Sequence, residues 1–170
     1  MSYKVKIAVS ACLLGQKVRY DAQEKSHTML LDFFRQYSDI LEAVPFCPEV
    51  AIGLGVPRAK IQLVREYNNT IRVIGVEDHT LDVTSDLQSY AKDFLQQHPD
   101  ISTYIVKSKS PSCGYQSSPL YKGSEQLALT SGLFVQTLNN LKSDLLIIEE
   151  SRLNSKYTCL QLLKKIQNLC

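Results

Sequence analysis

Lys4-Val5-Lys6-Ile7-Ala8-Val9-Ser10-Ala11-Cys12-Leu13-Leu14-Gly15 is the stretch that decides the class of fold. Val5, Ile7 and Val9 alternate, and Ala8 between them is small and apolar, so this reads as a buried strand. Such strands lie in sheets covered by helices on both faces. The chain supplies the helices. After a loop carrying Gly15 and Val18-Arg19-Tyr20-Asp21, residues Leu30, Phe33, Phe34 and Tyr37 follow the i, i+3, i+4, i+7 spacing of an amphipathic helix. Ala43 to Phe46 can form a second strand, ending at Cys47-Pro48-Glu49. Ile61 to Val64 and Thr70 to Ile74 flank Asn68-Asn69 and predict a hairpin.

A helix is expected over about 84–97, where Leu87, Tyr90, Ala91 and Phe94 share a face, Ser85 with Gln88 fits a capping box, and His98-Pro99-Asp100 ends the run. Ile101 to Lys107 reads as another strand, leading into Ser108-Lys109-Ser110-Pro111-Ser112-Cys113-Gly114. A weaker helical stripe (Leu127, Ser131, Phe134 and Leu138) spans Ser124 to Leu138, with Gly132 interrupting it. Leu145 to Ile148 is a strand, and Cys159, Leu162, Leu163, Ile166 and Leu169 mark a last helix. Strands alternating with helices predict an α/β fold, a three-layer parallel sheet with a small hairpin around 60–75. Length agrees, since 170 residues suit a single domain over 1–170.

Composition excludes some functions. Nineteen basic and seventeen acidic residues leave a net charge of +2, which predicts no general grip on nucleic acid or membrane, although a local basic patch stays open. No apolar run reaches the roughly 18 residues of a spanning helix. Met1-Ser2-Tyr3 leads straight into the first strand without the apolar core of a signal peptide. A cytoplasmic location is expected. In that reducing setting, five cysteines argue for burial, metal ligation or redox chemistry rather than disulfides.

Three of the five stand apart. Cys12, Cys47 and Cys113 each follow an expected strand, 35 and 66 residues apart. In a parallel sheet with right-handed crossovers, all strand carboxyl ends lie along one edge, where ligands bind. On position alone, inert burial and metal ligation are both open, because no compact Cys-x-x-Cys spacing is present. Structural zinc wants a fourth ligand, and none stands out among His27, His79 and His98. Soft thiolates also suit iron–sulfur clusters, and three of them on a four-iron cube leave one iron open. Cys159 reads as core and Cys170 as incidental.

At these residues the chain resembles a known family. Ser10 to Gly15 with Val18-Arg19-Tyr20-Asp21, then Cys47-Pro48-Glu49-Val50, then Lys109-Ser110-Pro111-Ser112-Cys113-Gly114 look like the three signature blocks of the thiouracil desulfidases, in family order. Glu149-Glu150-Ser151-Arg152-Leu153-Asn154 is similar to that family's C-terminal motif. The resemblance implies a Rossmann-like domain whose Cys12, Cys47 and Cys113 hold a [4Fe-4S] cluster with one iron not ligated by protein. It implies Glu49 as the catalytic residue that activates water and Ser110 as the one that assists proton transfer. Ser10, Arg19, Asp21 and Ser112 are the candidate substrate-binding residues, with loop ordering as the other role open to Arg19 and Asp21. The implied substrate is a thiolated pyrimidine: thiouracil, 4-thiouridine or its monophosphate, converted to the oxo form plus hydrosulfide.

Some positions depart from the pattern. Ala22 and Ser151 stand where glycine is usual, and the loop Val50-Ala51-Ile52-Gly53-Leu54-Gly55-Val56-Pro57-Arg58 lacks paired glycines. That loop looks more like the branch often fused to a domain associated with thiouridine in transfer RNA. Transfer RNA is therefore an alternative substrate, one the net charge does not favour. An iron–sulfur sensor without turnover is the competing reading of the whole chain.

Overall fold

A computed structural model describes residues 4–169; Cys170 lies outside the described residues. Four strands form a parallel sheet: β1 (Val5–Ser10), β2 (Leu41–Phe46), β5 (Thr103–Val106) and β8 (Leu146–Glu149), in the order β2-β1-β5-β8. Alternation sorts the side chains of the central strands. Ile7, Val9 and Ile105 pack with Leu30 and Phe33 of α1 (Thr28–Gln36) and Leu162 and Ile166 of α5 (Lys156–Gln167). Ala8, Tyr104 and Val106 pack on the other face with Ala91 and Phe94 of α3 (Thr84–Gln97) and Phe134 and Leu138 of α4 (Leu133–Leu141). The result is the expected three-layer α/β arrangement. Chain order reverses direction at β1, whose neighbours are β2 and β5, so the crevice for a ligand opens at their carboxyl ends.

The expected hairpin is present as β3 (Ile61–Arg65) and β4 (Ile71–Gly75), paired antiparallel. It belongs to a larger structure. A second hairpin, β6 (Ser118–Lys122) and β7 (Glu125–Thr130), joins it through a parallel β3–β6 pairing to make a second four-stranded sheet. Leu63, Val73 and Leu120 of this sheet pack on Leu87 and Leu133, so it is seated on α3 and α4. The helical stripe over Ser124 to Leu138 is thus corrected: its first part is β7, and the helix begins only at Leu133. Leu127 and Leu129 alternate as a strand does, and Gly123 supplies the positive φ of the turn before it (+58°).

Two smaller corrections bear on the site. The Ser85/Gln88 capping box does not form, because α3 starts at Thr84 and leaves Ser85 inside the first turn. Thr84 Oγ1 instead accepts from Val73 N–H at 2.9 Å, tying α3 to β4. A short helix, α2 (Pro48–Ala51), follows Cys47 where a loop was expected, with Pro48 at its first position as helices favour.

Candidate functional site

Each of the three singled-out cysteines is delivered by the end of a parallel strand. Cys12 lies in a 3₁₀ turn, Ala11–Leu14, directly after β1, and Gly15 closes that turn with φ +88°. Cys47 is the N-cap of α2, directly after β2. Cys113 lies in the loop after β5, and this loop is heavily braced. Ser110 Oγ accepts from the Ser112 and Cys113 N–H groups at 3.3 and 3.0 Å. Leu133 and Phe134 N–H at the start of α4 donate to the Pro111 and Ser112 carbonyls at 2.9 and 3.1 Å, so the loop caps the helix. Glu149 accepts from Tyr115 N–H at 2.8 Å and from Ser117 Oγ.

Gly132 makes that bracing possible. A Cβ there would lie 2.3 Å from the Ser112 carbonyl carbon and 2.6 Å from Cys113 N, both backbone atoms. Gly132→Ala is therefore expected to cost about 1–3 kcal/mol of stability, as overpacking does. A urea midpoint reads the effect, and the shifted backbone is the one that carries Cys113.

Cys12, Cys47 and Cys113 line one cavity of about 550 Å³, together with Glu49 and Ser110. Burial pushes the Cys12 thiol up to about 11; the Cys47 charge adds to this, while Lys107 and Arg19 oppose it. Burial also raises Cys47. Cys113 is raised well above the ordinary thiol value, by burial first and then by the charges of Cys47, Glu49 and Cys12. Two buried thiols and one half-buried thiol, all raised by burial, favour their protonated forms, and a bound cation favours the thiolates instead. Among the described residues no three His, Cys, Asp or Glu side chains form a group that could hold a single metal ion. None of His27, His79 and His98 lines the cavity. Three cysteine sulfurs on one wall are a donor set whose softness suits an iron–sulfur cluster.

Glu49 is fixed on both sides. Its Oε2 accepts from Arg58 Nε at 2.8 Å and Nη2 at 2.7 Å, and its Oε1 accepts from Ser112 Oγ at 2.9 Å. Ser110, with its oxygen already accepting two amides, keeps its own hydroxyl proton to donate.

The remaining sequence candidates fall in different places. Ser10 lines the cavity, and its Oγ accepts from Lys107 N–H at 3.0 Å, joining the ends of β1 and β5. Arg19 also lines it. Asp21 is not part of the wall: its Oδ1 accepts from Gln23 N–H at 3.2 Å and Arg19 Nε at 3.3 Å, the geometry of loop ordering. Ser112 is fully buried behind the wall as the partner of Glu49.

Sequence reasoning missed Arg58, Lys107, Glu149 and Glu150. Glu150 receives Lys107 Nζ and also accepts from Ser108 N–H at 2.7 Å. The adjacent acids of the C-terminal block were the available signal, since two carboxylates at a strand end are placed to grip neighbouring loops. The cavity wall carries Arg19, Lys25, Arg58, Lys60, Lys107 and Lys109 against one carboxylate, Glu49. Exposed Lys25, Lys60 and Lys109 make no ion pair among the described residues, and Lys60 Nζ stands 5.1 Å from the centre of the Tyr20 ring.

The chain is similar to known proteins over nearly its whole length. The sequence profile described as 2-thiouracil desulfurase matches residues 7–150. A solved structure described as the [4Fe-4S]-dependent thiouracil desulfidase TudS is 33% identical and superposes with a TM-score of 0.69, covering 94% of this chain and 99% of that one. No curated protein matches it. With a profile match over most of its length, and a solved relative one-third identical in sequence, this chain belongs to the 2-thiouracil desulfurase family.

Proposed function

We propose that this protein is a cytoplasmic [4Fe-4S]-dependent desulfidase that replaces the thiocarbonyl sulfur of a thiolated uracil nucleotide with water oxygen, releasing hydrosulfide. The observation that carries this reading is one cavity wall shared by three strand-end thiols, a clamped carboxylate and a hydroxyl with its proton free. Cys12, Cys47 and Cys113 would hold the cluster. When bound, its iron not ligated by protein supplies a Lewis acid with affinity for sulfur, which polarises the carbon–sulfur bond.

The protein's own groups supply the rest. Glu49 Oε1 accepts only from Ser112, so one lone pair remains to orient and deprotonate an attacking water. Ser110 donates a proton as sulfur leaves. Water oxygen adds at the ring carbon as Glu49 takes one of its protons. The other passes to Ser110 in place of the one Ser110 gives to sulfur, so the carbonyl forms, the carbon–sulfur bond breaks, hydrosulfide departs and Glu49 returns its proton to solvent; no electrons are exchanged. Phe46 and Pro48 on the wall give the pyrimidine an apolar surface.

The cations favour a phosphorylated substrate over the free base. Lys25, Lys60 and Lys109 form no ion pair among the described residues, and the one carboxylate on the wall is engaged by Arg58, which leaves a positive field for an anion. A volume of about 550 Å³ is ordinary for a small-molecule site. Protein loaded with cluster under anaerobic conditions is expected to release hydrosulfide from 4-thiouridine monophosphate with a lower KM than from 4-thiouridine or thiouracil. Lys60→Ala is expected to raise KM for the monophosphate about tenfold, the value of one charge-assisted contact, and to leave thiouracil unchanged. Loaded protein that turns over none of these compounds, nor thiouridine in transfer RNA, would be the non-enzymatic sensor instead.

A further inference from the structure

Arg58 sits in a loop that gives its side chain little freedom. The segment before it contains two glycines at positive φ, Gly53 at +88° and Gly55 at +75°. Arg58 backbone N–H donates to the Tyr20 carbonyl at 2.9 Å, and Nη1 donates to the Gly55 carbonyl at 2.9 Å. Its remaining edge, Nε and Nη2, closes on Glu49 Oε2. The Arg58 side chain is 5% exposed and that of Glu49 is 13% exposed. The exposed lysines of the same wall make no ion pair among the described residues, whereas Arg58 already has three of its five N–H groups committed inside the protein.

We infer that Arg58 is the positioning residue of the site: by holding Glu49 Oε2 from a loop anchored to Tyr20 and Gly55, it leaves Oε1 as the oxygen that faces the attacking water. This rests on the reading of Glu49 as the group that activates water. Ser112 anchors Oε1 from the opposite side, so the carboxylate is held between two loops, after β2 and after β5. Without the guanidinium, Glu49 keeps only one tether, and its rotamer is no longer unique. Catalysis is sensitive to such looseness, since a misplacement of about 1 Å costs on the order of a hundredfold in rate. A buried ion pair that served the fold alone would change stability or cluster content and leave turnover per loaded site untouched.

The test is a double-mutant cycle on cluster-loaded protein, with iron content and visible spectrum recorded for each variant. Arg58→Met is expected to keep its cluster and its KM while kcat falls about a hundredfold. Guanidinium ion added to the assay is expected to restore part of that loss. In a Glu49→Gln background, Arg58→Met is expected to add no further loss, because the group it positions is already gone. Wild-type kcat in Arg58→Met overturns the inference, as does an undiminished hundredfold loss in the Glu49→Gln background. If Arg58→Met does not fold, Arg58→Lys carries the test: one ammonium cannot reach both Glu49 and Gly55, so kcat is expected to fall with KM unchanged, and wild-type kcat overturns the inference. Glu49→Gln measured alone separates the two claims. Full turnover there removes the role of Glu49 itself, whereas a dead Glu49→Gln beside a fully active Arg58→Met removes only Arg58.

Discussion

Replacing any one of Cys12, Cys47 or Cys113 by serine is expected to abolish hydrosulfide release and to leave anaerobically prepared protein without its full complement of iron. Each of these thiols comes from a different strand end, and among the described residues the wall holds no further His or Cys to take over. A serine hydroxyl is a hard ligand and does not substitute for thiolate at an iron–sulfur cluster. The control is Cys159, buried on α5 in the same core cluster as Cys12 but not part of the cavity wall. Cys159→Ala is expected to lower stability by about 1 kcal/mol, as a small core truncation does, and to leave iron content and turnover unchanged. Iron and sulfide analysis with the visible spectrum reads all four variants. The raised thiols add a direction in pH. Burial holds Cys12, Cys47 and Cys113 in the protonated form, so cluster assembly must release protons, and loading is expected to weaken as pH falls. Loading that is indifferent to loss of one of these cysteines would end the proposal.

What made that prediction legible in the sequence was local. Val5, Ile7 and Val9 mark a strand without knowledge of anything else in the chain, and Cys12 follows it at a fixed short distance. Parallel topology then brings distant strand ends to one edge, so the cysteines converge as a consequence of fold class. Features that depend on contacts between irregular segments left no such trace. Arg58 lies nine residues after Glu49, across α2 and a glycine-bearing turn, and no period links the two. The cations of the cavity are separate in sequence, at Arg19, Lys25, Lys60, Lys107 and Lys109, so a net charge of +2 concealed how they gather. The β6–β7 hairpin was hidden differently. Leu127 and Ser131 stand four apart as on a helix, while Leu127 and Leu129 stand two apart as on a strand; with β7 largely exposed, burial did not decide between the periods. The helix after Gly132 is decided by the loop it meets, because its first free amides are satisfied by Pro111 and Ser112.

Glu49→Gln is expected to lower kcat by about 10²–10⁴, the usual contribution of a positioned general base, with iron content intact. The amide preserves the shape of the site. Its oxygen can face the Arg58 guanidinium, and its NH₂ can donate to Ser112 Oγ, which turns from donor to acceptor in that pair. What it cannot do is take a proton from water. The charge it removes also acts on the thiols, because the Glu49 carboxylate opposes ionisation of both Cys47 and Cys113. Removing that repulsion should let the variant hold its cluster at least as well as the native protein. The two expectations pull in opposite directions, which makes the variant decisive. A protein that had lost turnover because its metal centre was damaged would lose iron with it. Glu49→Gln loaded to the native iron content and still turning over at the native rate would show that some other group activates the water. Loaded to that content and inactive, it would separate the residues that hold the cluster from the residue that uses it.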